Sequence, residues 1–177
     1  MILVMTGNGK GKTTAALGQA IRALGEGKKV LMVQFIKGPW ISGEDKFISN
    51  LKSQKSKINF EIIKTGKGFV GILDDKLPII EHKKVAVEGL KLASKEIKSK
   101  KWDLIILDEI NNAVNLKLIK AADVLKIIKN LSEDTDIIMT GRDAPKSFIK
   151  IADIVTEMRE IKHIYRKGAL AKKGIEF

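Results

Sequence analysis

The turn Gly7-Asn8-Gly9-Lys10-Gly11-Lys12-Thr13-Thr14 joins a short apolar run, Met1 to Met5, to a helix-forming run that ends near Leu24. A glycine-rich turn closing on Gly-Lys-Thr between a strand and a helix commits the chain to a βα unit whose loop wraps phosphate. The glycines let the backbone curl so that several N–H groups point inward, and the following helix turns its positive end to the same spot. Lys12 adds a mobile cation, and the Thr13 hydroxyl is placed to ligate Mg²⁺. The general pattern has glycine five positions before Gly11, where this chain has Thr6. The ligand implied is a nucleoside triphosphate, with Gly7, Asn8, Gly9, Lys10, Gly11, Lys12, Thr13 and Thr14 as its cradle.

The rest of the chain repeats the alternation of apolar run and helical pattern. Strands are expected at Ile2–Thr6, Lys29–Phe35, Asn59–Lys64, Trp102–Leu107, Asp136–Thr140 and Ile154–Met158. Helices are expected at Lys12–Leu24, Glu44–Leu51, from Pro78 to about Lys101, at Lys117–Leu131 and at Pro145–Ile151. Near-continuous apolar strands separated by helices describe a mostly parallel sheet covered on both faces, an α/β doubly wound fold of the P-loop NTPase or RecA-like kind. With 177 residues, 44 % of them hydrophobic, a single domain spanning 1–177 is the simplest reading. Cysteine is absent, which excludes disulfides, thiolate metal sites and cysteine nucleophiles. No signal peptide and no apolar stretch of membrane-crossing length is visible, so a soluble, cytoplasmic protein is expected. The net charge of +12 suits a polyanionic partner, yet most lysines lie in mixed-charge helices such as Glu88–Lys101, as on a solvated face. Nothing resembles an RNA-binding strand signature.

In such a sheet ligands lie beyond the carboxyl ends of the strands. The run Leu104 to Leu107 delivers Asp108-Glu109 there, the acidic companion of a phosphate loop, whose carboxylates hold Mg²⁺ directly or through water. Two acids at a strand end can also merely cap the next helix. The next strand delivers Gly141-Arg142-Asp143; Arg142 as a phosphate contact and Arg142 as a surface residue stay equally open. Arg22, nearly three turns into the first helix, has the periodicity of a solvated position. The loops carrying Trp40 and Phe69 put aromatic groups near the ligand edge, as a flat apolar ligand requires, although either ring packed back on the core remains an alternative. Neither His82 nor His163 stands in a metal-ligand or nucleophile-activating spacing. Any catalysis therefore rests on positioning, metal and electrostatics.

In this order the pieces resemble the ATP:corrinoid adenosyltransferases. The likeness covers almost the whole chain. It is carried by Gly7 to Ala16, Arg22-Ala23-Leu24-Gly25, Val33-Gln34-Phe35-Ile36-Lys37-Gly38, Gly43-Glu44, Gly68-Phe69 and Leu107-Asp108-Glu109. It continues through Thr140-Gly141-Arg142, Ala152 to Glu157, Lys162-His163 and the closing Gly174-Ile175-Glu176-Phe177. In this family the loop starts at the position of Gly7, which accounts for Thr6. The resemblance implies that Co(I) of a reduced corrinoid attacks the 5′ carbon of ATP and that triphosphate leaves. Lys12, Thr13 and Glu109 would be the catalytic residues and Thr13, Asp108 and Glu109 the Mg²⁺ ligands. The phosphate loop, Arg22 and Arg142 would bind nucleotide, and Phe69 and Trp40 the corrinoid. It further implies a homodimer, a flavoprotein reductase as partner, and no nucleic acid or membrane.

Two departures from the family pattern carry expectations of their own. The pattern continues with tryptophan two residues after the phenylalanine, where this chain has Gly71. Displacement of the lower axial ligand then falls to other residues, Trp40 among them. The chain also begins at its first strand, without the earlier segment that folds over the corrinoid in some members. The corrinoid is then expected to be more exposed, or covered by another part of the dimer. The competing functions are a nucleic-acid-stimulated P-loop ATPase and a non-enzymatic carrier of ATP and corrinoid.

Overall fold

The computed structural model describes residues 1–53, 58–72 and 75–175. Its strands are β1 (Ile2–Thr6), β2 (Val30–Gln34), β3 (Phe60–Lys64), β4 (Leu104–Asp108), β5 (Asp136–Thr140) and β6 (Ile154–Glu157). All pair in parallel, in the order β3-β2-β4-β5-β1-β6. The helices are α1 (Lys12–Gly25), α2 (Gly43–Ser53), α3 (Ile79–Ser99), α4 (Ile110–Asn115), α5 (Ala121–Ile128) and α6 (Lys146–Ile151), with one 3-10 turn at Ile164–Lys167.

Successive strand residues face opposite sides, so the apolar runs feed two layers. Val30, Met32, Leu104, Ile106 and Ile138 meet α1 and α2 on one face, where Ala16, Ala20 and Ala23 give α1 a stripe small enough for close approach. Leu31, Val33, Ile105, Leu107, Ile137 and Met139 meet α3 to α6 on the other. The doubly wound, RecA-like sheet expected from the sequence is therefore the one found.

Two expectations need correction. The helix expected at Lys117–Leu131 begins only at Ala121 and ends at Ile128. Lys117 takes a left-handed φ of 56°, and Leu118 and Ile119 turn inward before the helix starts. No element is expected from the sequence at Ile110–Asn115, where three asparagines in six residues lower helix propensity, yet the short helix α4 forms there. Among the described residues no helix is long and apolar enough to cross a membrane.

Parallel pairing brings all the strand ends to one edge. Gln34 stands in register with both Lys64 and Asp108, Thr140 with Met5, and Glu157 with Thr6. Every strand closes on a polar side chain: Thr6, Gln34, Lys64, Asp108, Thr140 and Glu157. That row of polar ends under an apolar sheet is the foundation of the site.

Candidate nucleotide and corrinoid site

The phosphate loop rises from β1 and turns into α1 through Gly7 and Gly11, whose φ values of 94° and 114° only glycine adopts without strain. No side chain caps α1 and no acid stands in its first turn, so its positive end faces the loop uncompensated. Lys12 donates its ammonium protons to the carbonyls of Gly7 at 2.7 Å and Gly9 at 2.8 Å. Burial, seconded by the nearby Arg142 charge, lowers its pKa against the pull of Glu109 and Asp108. The segment after β6 braces the loop from outside. Gly9 N–H donates to Met158 O at 2.6 Å, and a Cβ on Gly7 would lie 2.4 Å from that oxygen. Thr6, the residue outside the general pattern, is occupied structurally: its hydroxyl accepts the Ala144 N–H at 3.0 Å. The C-terminal segment returns to the loop, with Lys10 Nζ 2.5 Å from Ile175 O. Glu176 and Phe177 of the closing motif lie outside the described residues.

Asp108 is fully buried and is the hub of the edge. Its Oδ1 accepts from Thr13 Oγ1 at 2.9 Å and from Thr140 Oγ1 at 2.6 Å. Its Oδ2 accepts from Gln34 Nε2 at 3.1 Å, with Lys37 Nζ 3.6 Å away. Lys37 also pairs with Glu44 at 3.0 Å. Glu109 follows in a left-handed conformation, φ 62°, with its N–H on Thr140 Oγ1 at 3.0 Å. Burial first, and the Asp108 charge second, push its carboxyl up from an ordinary 4.5 to about 7.

These residues fit a hard cation. Thr13, Asp108 and Glu109 offer only oxygen, and the buried Gln34 Oε1, on the same side chain that touches Asp108, finds no hydrogen-bond partner among the described residues. Among those residues no cluster of three or more His, Cys, Asp or Glu exists. The oxygen donors of Thr13, Asp108 and Glu109 would suit Mg²⁺, which takes one or two protein oxygens and completes its shell with phosphate and water.

Arg142 is exposed beside the loop, and its charge is felt by both Lys12 and Glu109. The asparagines of α4 set it there: Asn112 Oδ1 accepts the Arg142 N–H at 2.5 Å, and Asn115 Nδ2 donates to the Arg142 and Asp143 carbonyls. Arg22 is the exception among the expected nucleotide residues. It is exposed in the last turn of α1, ten residues and roughly 15 Å of helix rise beyond Lys12, so this chain does not bring its own Arg22 to the loop.

Trp40 and Phe69 come from different loops and meet, ring centroids 5.9 Å apart and planes tilted by 37°. They are 60 % and 48 % exposed, so neither packs back into the core. The loop after β3 hangs on the loop after β2, with Thr65 N–H on Gln34 O at 2.8 Å and Gly68 N–H on Ile36 O at 3.1 Å. The Trp40 ring lies over Gly38 and Gly68, where a Cβ would come within 2.6 Å and 2.5 Å of it. Gly71 carries φ 68° and gives its N–H to Asp75, whose carboxylate also meets the buried His82 at 3.0 Å. His82 is thus a packing residue.

Gln34, Lys37, Glu44 and Thr140 were given no role from the sequence. The polar residue that ends each apolar run was the available signal for Gln34 and Thr140. For Lys37 and Glu44 the signal was their place in the family segments Val33–Gly38 and Gly43-Glu44.

A sequence model of the family described as ATP:corrinoid adenosyltransferase BtuR/CobO/CobP matches residues 1–177. A corrinoid adenosyltransferase of Escherichia coli K12 is 33 % identical over 177 residues, covering 100 % of this chain and 85 % of that protein. Those of Sinorhizobium sp. and Pseudomonas aeruginosa PAO1 are each 35 % identical, covering all of this chain and 80 % and 83 % of theirs. The flagellar accessory protein FlaH from Methanocaldococcus jannaschii shares the fold at a TM-score of 0.54 and 16 % identity, covering 88 % of this chain and 69 % of FlaH. Full-length matches at this level, on a chain that carries the phosphate loop and its acidic companion on one sheet edge, make it an enzyme that belongs to the ATP:corrinoid adenosyltransferase family.

Proposed function

We propose that this enzyme transfers the 5′-deoxyadenosyl group of ATP to Co(I) of a reduced corrinoid. The observation that carries the reading is the placement of the phosphate loop and the exposed Trp40–Phe69 pair on loops of one sheet edge. The cobalt electron pair forms the Co–C bond, the C5′–O bond breaks, and triphosphate departs with the electron pair of that C5′–O bond. The nucleophile belongs to the substrate, so the protein supplies orientation and charge. The loop amides, Lys12, Lys10 and Arg142 receive the charge that grows on the leaving triphosphate. Mg²⁺ held by Thr13, Glu109 and Asp108 would neutralise part of the same charge. Trp40 and Phe69 offer the corrin ring an apolar platform and bear on its lower axial ligand.

In this reading the enzyme works in the cytoplasm as a homodimer, with a flavoprotein supplying the electron for cobalt reduction and with no nucleic acid involved. The test is an anaerobic incubation with ATP, Mg²⁺ and chemically reduced cobalamin, followed by corrinoid absorbance and phosphate analysis. A cobalt–carbon bond with intact triphosphate supports the reading. Corrinoid-dependent ADP and phosphate refute it, and both ligands bound without turnover would make the protein a carrier. Phosphate release stimulated by DNA or RNA at low salt would move it to the nucleic-acid-dependent ATPases.

A further inference from the structure

We propose that Lys37 is a positioning residue that couples the nucleotide site to the aromatic platform, tying the loop that carries Trp40 to Asp108. The proposal rests on the reading above only for what the platform binds; the coupling itself is measured without corrinoid.

The Lys37 ammonium is shared by two carboxylates on different elements, Glu44 Oε1 at 3.0 Å on α2 and Asp108 Oδ2 at 3.6 Å at the end of β4. Its contact with Glu44 closes residues 37–44 into a ring with Trp40 near the middle. A second ammonium pins the same loop: Lys64, at the end of β3, donates to Trp40 O at 2.6 Å and pairs with Asp45. Gly38, next to Lys37, lies directly beneath the Trp40 ring. A displacement of Lys37 is therefore handed to the tryptophan through one peptide unit.

Asp108 also accepts from Thr13 of the phosphate loop, so whatever changes charge beside Thr13 changes the field at Lys37. A cation there repels the ammonium toward Glu44, and a phosphate oxygen draws it the other way. Either resets its balance between two partners in a half-buried setting where screening is weak. Burial opposes the charge of Lys37, but Asp108 and Glu44 outweigh it and raise the pKa, so the ammonium persists through neutral pH. A lysine bound only as a surface ion pair would not bridge a fully buried strand end and a second element in this way.

The experiment is acrylamide quenching of tryptophan emission during titration with Mg·ATP, without corrinoid. Trp102 is buried at the opposite end of β4 and supplies a constant background, which Trp40→Phe isolates. The wild-type protein should show a nucleotide-dependent change that Trp40→Phe lacks. In Lys37→Met that change should fall about fivefold or more, while ATP affinity moves less than about threefold. Lys37→Arg should restore most of it. Glu44→Gln leaves the Lys37–Asp108 contact but removes the second carboxylate against which the ammonium is balanced, and it should reproduce the loss; it decides the matter if Lys37→Met does not fold. Quenching that does not respond to Mg·ATP in the wild type overturns the proposal. So does a full response in the variants, or a loss of ATP affinity that makes Lys37 a direct nucleotide ligand. None of these results depends on whether a cobalt–carbon bond forms, so failure of the coupling and failure of the proposed reaction are told apart.

Discussion

The Thr140 hydroxyl donates to Asp108 Oδ1 at 2.6 Å, while its oxygen accepts the Glu109 N–H at 3.0 Å. One buried side chain on β5 thus holds the Asp108 carboxylate and the Glu109 backbone of the neighbouring strand end. Thr140→Val keeps the shape and removes donor and acceptor together. The Glu109 N–H then loses its partner in a left-handed residue, and Asp108 keeps Thr13, Gln34 and the more distant Lys37 ammonium. The expected cost is about 1–3 kcal/mol in urea unfolding, with Thr140→Ser recovering most of it. Equal stability of threonine and valine would show that the hydroxyl does not hold the pair.

The Lys12 ammonium bonds to two carbonyls of its own loop. Lys12→Ala should therefore leave the circular dichroism spectrum and melting profile close to wild type. Turnover should drop about 10²–10³-fold, the usual loss when one donor to developing charge is removed. Unchanged kcat/KM would mean that the triphosphate lies elsewhere.

Glu109 should make the protein less stable as pH rises. Its carboxyl titrates near 7 in the fold, against an ordinary 4.5. Between those values the native state holds a proton that the unfolded chain has released. The contribution is whole below about pH 4.5 and is lost as pH climbs through 7. Urea unfolding of the metal- and nucleotide-free protein should show this decline, on the order of 1.4 kcal/mol per pKa unit at most. Glu109→Gln should flatten it, and an identical slope in that variant would place the titration on another group. Binding of Mg·ATP should release a proton near pH 6, visible as a buffer-dependent heat in calorimetry, because a cation beside Glu109 favours its ionised form.

The central strands β2, β4 and β5 were legible because they are buried on both faces and are therefore almost unbroken apolar runs; Leu104–Leu107 and Ile137–Met139 could hardly be anything else. Asp108, Glu109 and the phosphate loop were legible because their chemistry sits in consecutive residues. Thr140 and Gln34 act on Asp108 from 32 and 74 residues away, through strand register that no local pattern carries. The asparagines of α4 drew no reading for a similar reason. Their side chains serve the Arg142 loop across the sheet edge, so the segment keeps a helix that its own propensities disfavour. Trp40 and Phe69 stood open between core and surface until their loops were seen to hang on one another.

Phe69 and Gly68 offer the sharpest separation of platform from scaffold. Phe69 is 48 % exposed, so Phe69→Ala should shift stability by no more than about 0.5 kcal/mol. It should weaken the corrinoid step, cobalt reduction above all, well beyond any change in ATP affinity. Gly68→Ala reaches the same platform from below. A Cβ there would stand 2.5 Å from the Trp40 ring, and φ of +104° strains any residue but glycine. The strain should lower stability by about 1–3 kcal/mol, and tilting Trp40 should raise the corrinoid KM while the ATP KM stays near wild type. Steady-state kinetics with each substrate varied in turn, anaerobically and with chemically reduced corrinoid, distinguishes the outcomes. If both variants changed the ATP and corrinoid constants in parallel, the aromatic pair would be part of the scaffold and the corrin ring would have to rest on another surface.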